Sequence, residues 1–139
     1  MMSASPVEQN APCDPPLPQP SVLVVDDDAA VRQMLELGLQ CQGFRVRLAG
    51  SGAEAVQLYR THRGDINLVL LDVRMPELDG PATLHELGRI DPGIRCAFMS
   101  GDTGEYSEAD LLGRGALCLL TKPFDLHDLA GRLRQLVAR

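Results

Sequence analysis

The sequence has no tryptophan, two tyrosines and three phenylalanines, so a folded core must rest on Leu, Val, Ile, Ala and Met. Lysine is almost absent: of 13 basic residues only Lys122 is a lysine, and the other 12 are arginines. The formal net charge of -6 argues against a nucleic-acid-binding surface, because a phosphate backbone attracts basic patches. No apolar run approaches the roughly 18 to 20 residues that a membrane helix requires. One such run, Leu68-Val69-Leu70-Leu71, is cut short by Asp72, and the amino terminus lacks the apolar stretch of a signal peptide. A cytoplasmic location is the expectation. Cys13, Cys41, Cys96 and Cys118 form no C-x-x-C pair and read as free thiols, with Cys96 and Cys118 packed as small apolar residues. His62, His85 and His127 fall on three separate expected helices with no metal-ligand spacing, and read as surface residues.

What is present is strongly ordered along the chain. Residues 1–20 carry six of the ten prolines and almost nothing apolar, which predicts a disordered Pro-rich tail. From residue 21 to 139 short apolar runs alternate with amphipathic segments. A buried strand is expected over 22–25, then a helix with Val31, Met34, Leu35 and Leu39 inward and Gly43 just past its end. Phe44, Val46 and Leu48 alternate with Arg45 and Arg47, the pattern of an edge strand. Ser51 and Glu54 stand at capping-box spacing before the next helix, which buries Ala55, Val56, Leu58 and Tyr59.

Three more repeats follow: a strand over 66–71 and a helix from Asp79 to Ile90; a strand over 94–99 and a short helix over 105–112; a strand over 116–120 and a helix capped by Asp125. Five strand-helix units in a row predict an α/β, doubly wound (βα)5 three-layer sandwich with a parallel five-stranded sheet. Sites in such folds lie at the carboxyl ends of the strands.

The five expected strand ends carry one coherent chemistry. The first ends in Asp26-Asp27-Asp28, the third in Asp72, the fourth in Ser100 and the fifth in Thr121-Lys122-Pro123. Carboxylates gathered at one edge repel one another and raise one another's pKa, and a hard divalent cation relieves this. Oxygen ligands without His or Cys suit Mg²⁺, with Mn²⁺ as an alternative. Asp28 reads as a helix cap with no role in the chemistry. A compact ammonium at Lys122, in a chain that otherwise uses arginine, can reach a single phosphoryl or carboxylate oxygen.

Val24-Val25-Asp26-Asp27, Leu70-Leu71-Asp72 through Asp79-Gly80, Ser100 and Lys122-Pro123-Phe124 together resemble the four signature segments of the response-regulator receiver family of two-component systems. The resemblance spans residues 21–139 and implies a flavodoxin-like sheet of order 2-1-3-4-5. It implies Asp72 as phosphoacceptor, with Asp27, Asp72 and the Arg74 backbone carbonyl as Mg²⁺ ligands and Asp26 as a ligand through water. Lys122 would bond a phosphoryl oxygen, Lys122-Pro123 would be cis, and Ser100 would be the switch hydroxyl. The donor would be a sensor histidine kinase or a histidine phosphotransfer protein. The output would be a protein target bound on the face of the fourth helix, fifth strand and fifth helix. Neither nucleic acid nor membrane is an expected partner, and the chain is expected to be a signalling protein that is not an enzyme.

Two features depart from the family pattern. Leu119 stands where an aromatic is common three residues before the lysine, which predicts a muted switch. Arg74 and Asp102 flank the site: either they pair across its mouth and gate the hydrolytic water, or they stand as two independent solvated side chains, since exposed ion pairs are weak. A haloacid-dehalogenase-type hydrolase would place a second Asp where Arg74 stands. A flavodoxin-like cofactor binder would want a phosphate loop where three Asp residues follow the first strand. A non-phosphorylated interaction module remains the other rival, although no key acid or lysine is missing.

Overall fold

The computed structural model describes residues 19–101, 104 and 106–138. The expected tail up to residue 18 therefore lies outside the described residues, as do Asp102 and Glu105. The elements are β1 Ser21–Val25, α1 Ala29–Cys41, β2 Arg45–Ala49, α2 Gly52–His62 and β3 Leu68–Asp72. They continue with α3 Gly80–Ile90, β4 Cys96–Ser100, α4 Glu108–Gly113, β5 Leu119–Thr121 and α5 Leu126–Ala138. All strand pairs are parallel, in the order β2-β1-β3-β4-β5.

The period-two alternation of the strands divides the core into two layers. Leu23, Val25, Val69, Leu71, Cys96 and Phe98 face α2, α3 and α4, where Ala55, Tyr59, Leu84, Leu87 and Leu111 cover them. Val22, Val24, Leu68, Leu70, Ala97 and Met99 face Leu35 and Leu39 of α1 and Leu129, Leu133 and Leu136 of α5. Because β1 and β3 are covered on both faces, they read as continuous apolar runs. The chain leaves β1 toward β2 on one side and returns to β3 on the other. The loops after β1 and β3 therefore part at one point of the sheet edge, where an α/β sheet opens a crevice.

Helix ends follow local chemistry. Asp28 caps α1 by accepting from the amides of Ala30 and Val31, Asp79 caps α3 by accepting from Ala82, and Asp125 accepts from His127 and Asp128. Gly43, with φ of 93°, follows the end of α1.

The capping box expected at Ser51 is only half formed. Ser51 accepts from the Glu54 amide, but the Glu54 carboxylate reaches one residue further back, to the Gly50 amide at 2.6 Å. Met34 is not on the inner face of α1 and is 41% exposed. It stands about 100° around the helix from Leu35, and the sheet takes the Leu35–Leu39 stripe with Val31 partly buried beside it.

Strand boundaries also shift. β4 begins at Cys96 because a turn closed by Ile94 N to Asp91 O occupies the residues before it. β3 begins at Leu68 because a short 3-10 turn, Arg63–Asp65, ends in Ile66 N to Arg63 O. β5 shortens to Leu119–Thr121 after the turn at Gly115, whose φ is 105°. α4 starts at Glu108, where Ser107 and Asp110 form a reciprocal capping box. No helix among the described residues is long and apolar enough to cross a membrane.

Candidate functional site

The carboxyl ends of β1 and β3 bring three acids together. Asp26, Asp27 and Asp72 each offer an oxygen within 4.8 Å of the others, Asp26 and Asp72 buried and Asp27 exposed. Lys122, just past β5, enters from the far side: its Nζ lies 2.8 Å from Asp26 Oδ2 and 3.6 Å from Asp72 Oδ1. The Lys122-Pro123 peptide is cis, as expected. Three carboxylates face one ammonium, so negative charge remains in excess.

The titration behaviour follows from that imbalance. Burial pushes the Asp72 carboxyl up to about 6 from the ordinary 3.8, and the Asp26 and Asp27 charges add to the rise. The Lys122 charge and the Arg74 backbone N–H, which hydrogen-bonds the carboxylate, oppose it. Burial alone would lower the Lys122 pKa, but its bond to Asp26 and the charges of Asp72 and Asp26 outweigh this, and the net shift is upward. Lys122 thus stays charged while Asp72 is held in tension. Hard carboxylate oxygens in this arrangement, with no thiolate or imidazole among them, fit a small divalent cation such as Mg²⁺.

Ser100 is the buried last residue of β4, and its carbonyl accepts from the Lys122 amide at 2.9 Å. That bond ties the expected switch position to the lysine loop through the backbone. Leu119 opens β5 opposite Phe98 and packs half-buried against the α2–α3–α4 layer. Arg74 is exposed, and its side chain lies against Gly104: a Cβ built there would meet Arg74 Cδ and Nε at 3.4 Å. Its expected partner Asp102 lies outside the described residues. Asp28 serves as the α1 cap and is not one of the clustered acids.

The loop from β3 to α3 carries features with no expected role. Gly80 sits flush on the strand end, its amide donating to Val73 O at 2.8 Å. Tyr106 donates to Asp79 Oδ2 at 2.8 Å, so it tethers the loop after β4 to the cap of α3, and Arg114 stacks over its ring at 5.3 Å. An open cleft of about 680 Å³ lies beside these residues, lined by Val73, Arg74, Met75, Pro76, Asp79, Gly104 and Tyr106. Sequence spacing offered no signal for the Tyr106–Asp79 contact, because 27 residues separate the partners.

Glu77 in the same loop has φ of 67°, a left-handed conformation that costs a residue with Cβ about 1 kcal/mol. Asparagine tolerates this region better. Glu77→Asn should therefore raise the unfolding free energy by about 0.5 to 1 kcal/mol, measured by urea denaturation. An unchanged midpoint would mean that side-chain contacts of Glu77 offset the backbone cost.

A family model of the response regulator receiver domain matches residues 22–134, and the chain belongs to that family. Sensor kinase CckA of Brucella abortus is 35% identical over 119 residues, covering 86% of this chain and 13% of that protein. Transcriptional regulatory protein ZraR of Escherichia coli is 38% identical over 117 residues, covering 84% of this chain and 26% of that protein. The chain therefore spans only a minor part of the length of these two relatives. Among solved structures, a chain of the CheX-CheY-BeF3-Mg+2 complex of Borrelia burgdorferi superposes with a TM-score of 0.80 at 30% identity. That superposition covers 86% of this chain and 90% of the other. The chain is a receiver domain of two-component signalling, and its Asp26-Asp27-Asp72 pocket fits a magnesium-binding phosphoacceptor site.

Proposed function

We propose that Asp72 is the phosphoacceptor of this receiver and that its donor is a sensor histidine kinase or a histidine phosphotransfer protein. The observation that carries this reading is the cluster itself: three carboxylates within 4.8 Å and one ammonium 2.8 Å from Asp26 and 3.6 Å from Asp72. Asp27, Asp72 and the Arg74 backbone carbonyl would hold Mg²⁺ or Mn²⁺ directly, and Asp26 through water. When bound, the cation neutralises charge on the transferring phosphoryl oxygens.

The remaining roles belong to the chain. An Asp72 carboxylate oxygen forms the bond to phosphorus as the donor's bond breaks. Lys122 turns from Asp72 to a phosphoryl oxygen, and the Ser100 hydroxyl donates to another. Phosphoryl transfer needs positioning and charge neutralisation more than covalent help from the protein. The signal then leaves through the face of α4, β5 and α5 to a protein target, muted by Leu119 in place of an aromatic. Arg74, paired with Asp102, would gate the hydrolytic water.

Residues 21–139 form the receiver unit in this reading and residues 1–20 a Pro-rich tail. The protein acts in the cytoplasm, without nucleic acid or membrane as partner, and turns over no separate substrate.

Intact-protein mass spectrometry after incubation with acetyl phosphate tests the reading. A gain of one phosphoryl group with Mg²⁺ and none with chelator is the expected outcome. Gain at equal rate in chelator would remove the metal from the reaction. A protein that gains no phosphoryl group from this donor or from a phosphorylated histidine phosphotransfer protein would defeat the assignment.

A further inference from the structure

Arg32 takes no part in the chemistry described above, yet its position needs explaining. It stands at the start of α1, where aligned peptide dipoles disfavour a cation. A local partner must therefore hold it there. That partner is main chain: Arg32 Nη1 donates to the Asp26 carbonyl oxygen at 2.8 Å. The guanidinium also crosses closely over Gly50 in the loop between β2 and α2. A Cβ built on Gly50 would meet Nη1, Cζ and Nη2 of Arg32 at 3.1, 3.3 and 3.6 Å. Gly50 thus forms a notch that a larger residue would fill.

Asp26 is fully buried, and each of its polar groups has a named partner. Its amide donates to Ala49 O at 3.1 Å. One carboxylate oxygen accepts from the Asp28 amide at 2.9 Å, and the other takes Lys122 Nζ at 2.8 Å. The carbonyl is left to Arg32. This carbonyl shares a rigid plane with the amide of Asp27. Holding it sets the direction in which Asp27, the exposed member of the cluster, leaves the strand end.

We propose that Arg32 is a positioning residue for the divalent-cation site, orienting the Asp26-Asp27 pair by gripping the Asp26 carbonyl across the Gly50 notch. The inference rests on the reading of Asp26, Asp27 and Asp72 as that site. Partners that orient metal ligands typically change metal affinity by about 10- to 100-fold when removed.

Calorimetric titration with MgCl₂ of the wild type, Arg32→Ala and Ser51→Ala is the test. Ser51→Ala loosens the same loop by removing the α2 cap and leaves the Arg32–Asp26 bond in place. Arg32→Ala should bind Mg²⁺ about tenfold more weakly, and Ser51→Ala should match the wild type. The acetyl phosphate reaction of Arg32→Ala should need more Mg²⁺ and yet reach the wild-type rate at saturation. Equal Mg²⁺ affinity in Arg32→Ala and the wild type would overturn the proposal, and so would an equal loss in both variants. If Arg32→Ala fails to fold, Arg32→Lys takes its place, because an ammonium keeps the charge and loses the fork; its affinity must then fall below that of Ser51→Ala. A wild type that binds no Mg²⁺ would instead defeat the underlying site assignment.

Discussion

Asp72→Asn will abolish phosphoryl uptake and at the same time stabilise the metal-free protein at pH 7. Both effects have one cause. Asp72 is a buried carboxylate whose pKa is raised to about 6 by burial and by its two acidic neighbours. Its unfolded value is the ordinary 3.8. The folded state therefore holds the Asp72 proton more tightly than the unfolded state between about pH 4 and pH 6.

For a raised carboxyl the penalty is absent below about pH 4, grows as pH rises, and is complete above about pH 6. Asparagine keeps the shape and drops the charge, so it escapes that penalty. A shift of about two units would correspond to about 3 kcal/mol, but water at the mouth of the pocket screens the charges and the expected gain is about 1 to 2 kcal/mol. The gain should vanish below pH 4.

Magnesium should invert the order. A ligand at about 100 times its Kd stabilises the folded state by about 2.7 kcal/mol. The wild type gains that in full and Asp72→Asn only in part. Urea melts of both proteins, with chelator and with Mg²⁺, at pH 4 and pH 7, read out every element. A variant no more stable than the wild type in chelator at pH 7 would show that Asp72 carries no strain. A variant that still gains a phosphoryl group would move the acceptor elsewhere.

The strand-end acids were legible in the sequence because each follows an apolar run directly. Val24-Val25 runs into Asp26 and Leu70-Leu71 into Asp72, and a parallel sheet brings such ends to one edge. Lys122 was legible for a compositional reason: a lone lysine among arginines stands out. Arg32 was not, since its partner is a backbone carbonyl six residues earlier and an arginine on a helix usually reads as a solvated face. A cation placed against the dipole of α1 was the available signal.

Boundaries failed where short-range turns compete with the sheet. The turn at Asp91–Ile94 takes residues that hydrophobicity alone assigns to β4. Leu117 and Cys118 still bond to β4, through Leu117 N to Cys96 O and Phe98 N to Cys118 O, yet lie before β5 begins. Apolarity marks where a strand can run, while turn bonds decide where it starts.

Two glycines of one helix should respond to alanine with opposite signs. Gly80 and Gly88 both lie in α3. Around Gly88 a new Cβ meets nothing within 4 Å, so Gly88→Ala only removes backbone freedom from the unfolded chain. It should stabilise the protein by about 0.5 to 1 kcal/mol. At Gly80 the same methyl would lie directly on the Asp72 carbonyl oxygen, 2.8 Å from Val73 Cα and 3.0 Å from Phe98 Cε1.

Two of those neighbours of Gly80 are backbone and cannot rotate aside. Phe98 is fully buried on the interior strand β4 and has little room to turn. Relief must come from lifting the start of α3 or from shifting the Asp72–Val73 segment. Either costs about 3 kcal/mol, at the upper end of what an extra methyl in a packed core costs. Either also moves Asp72 relative to Lys122, so phosphoryl uptake at saturating Mg²⁺ should fall in Gly80→Ala and hold in Gly88→Ala. Thermal melts and acetyl phosphate rates on the pair would decide it. Equal stabilities in the two variants would mean that α3 is not seated on the strand end that carries Asp72.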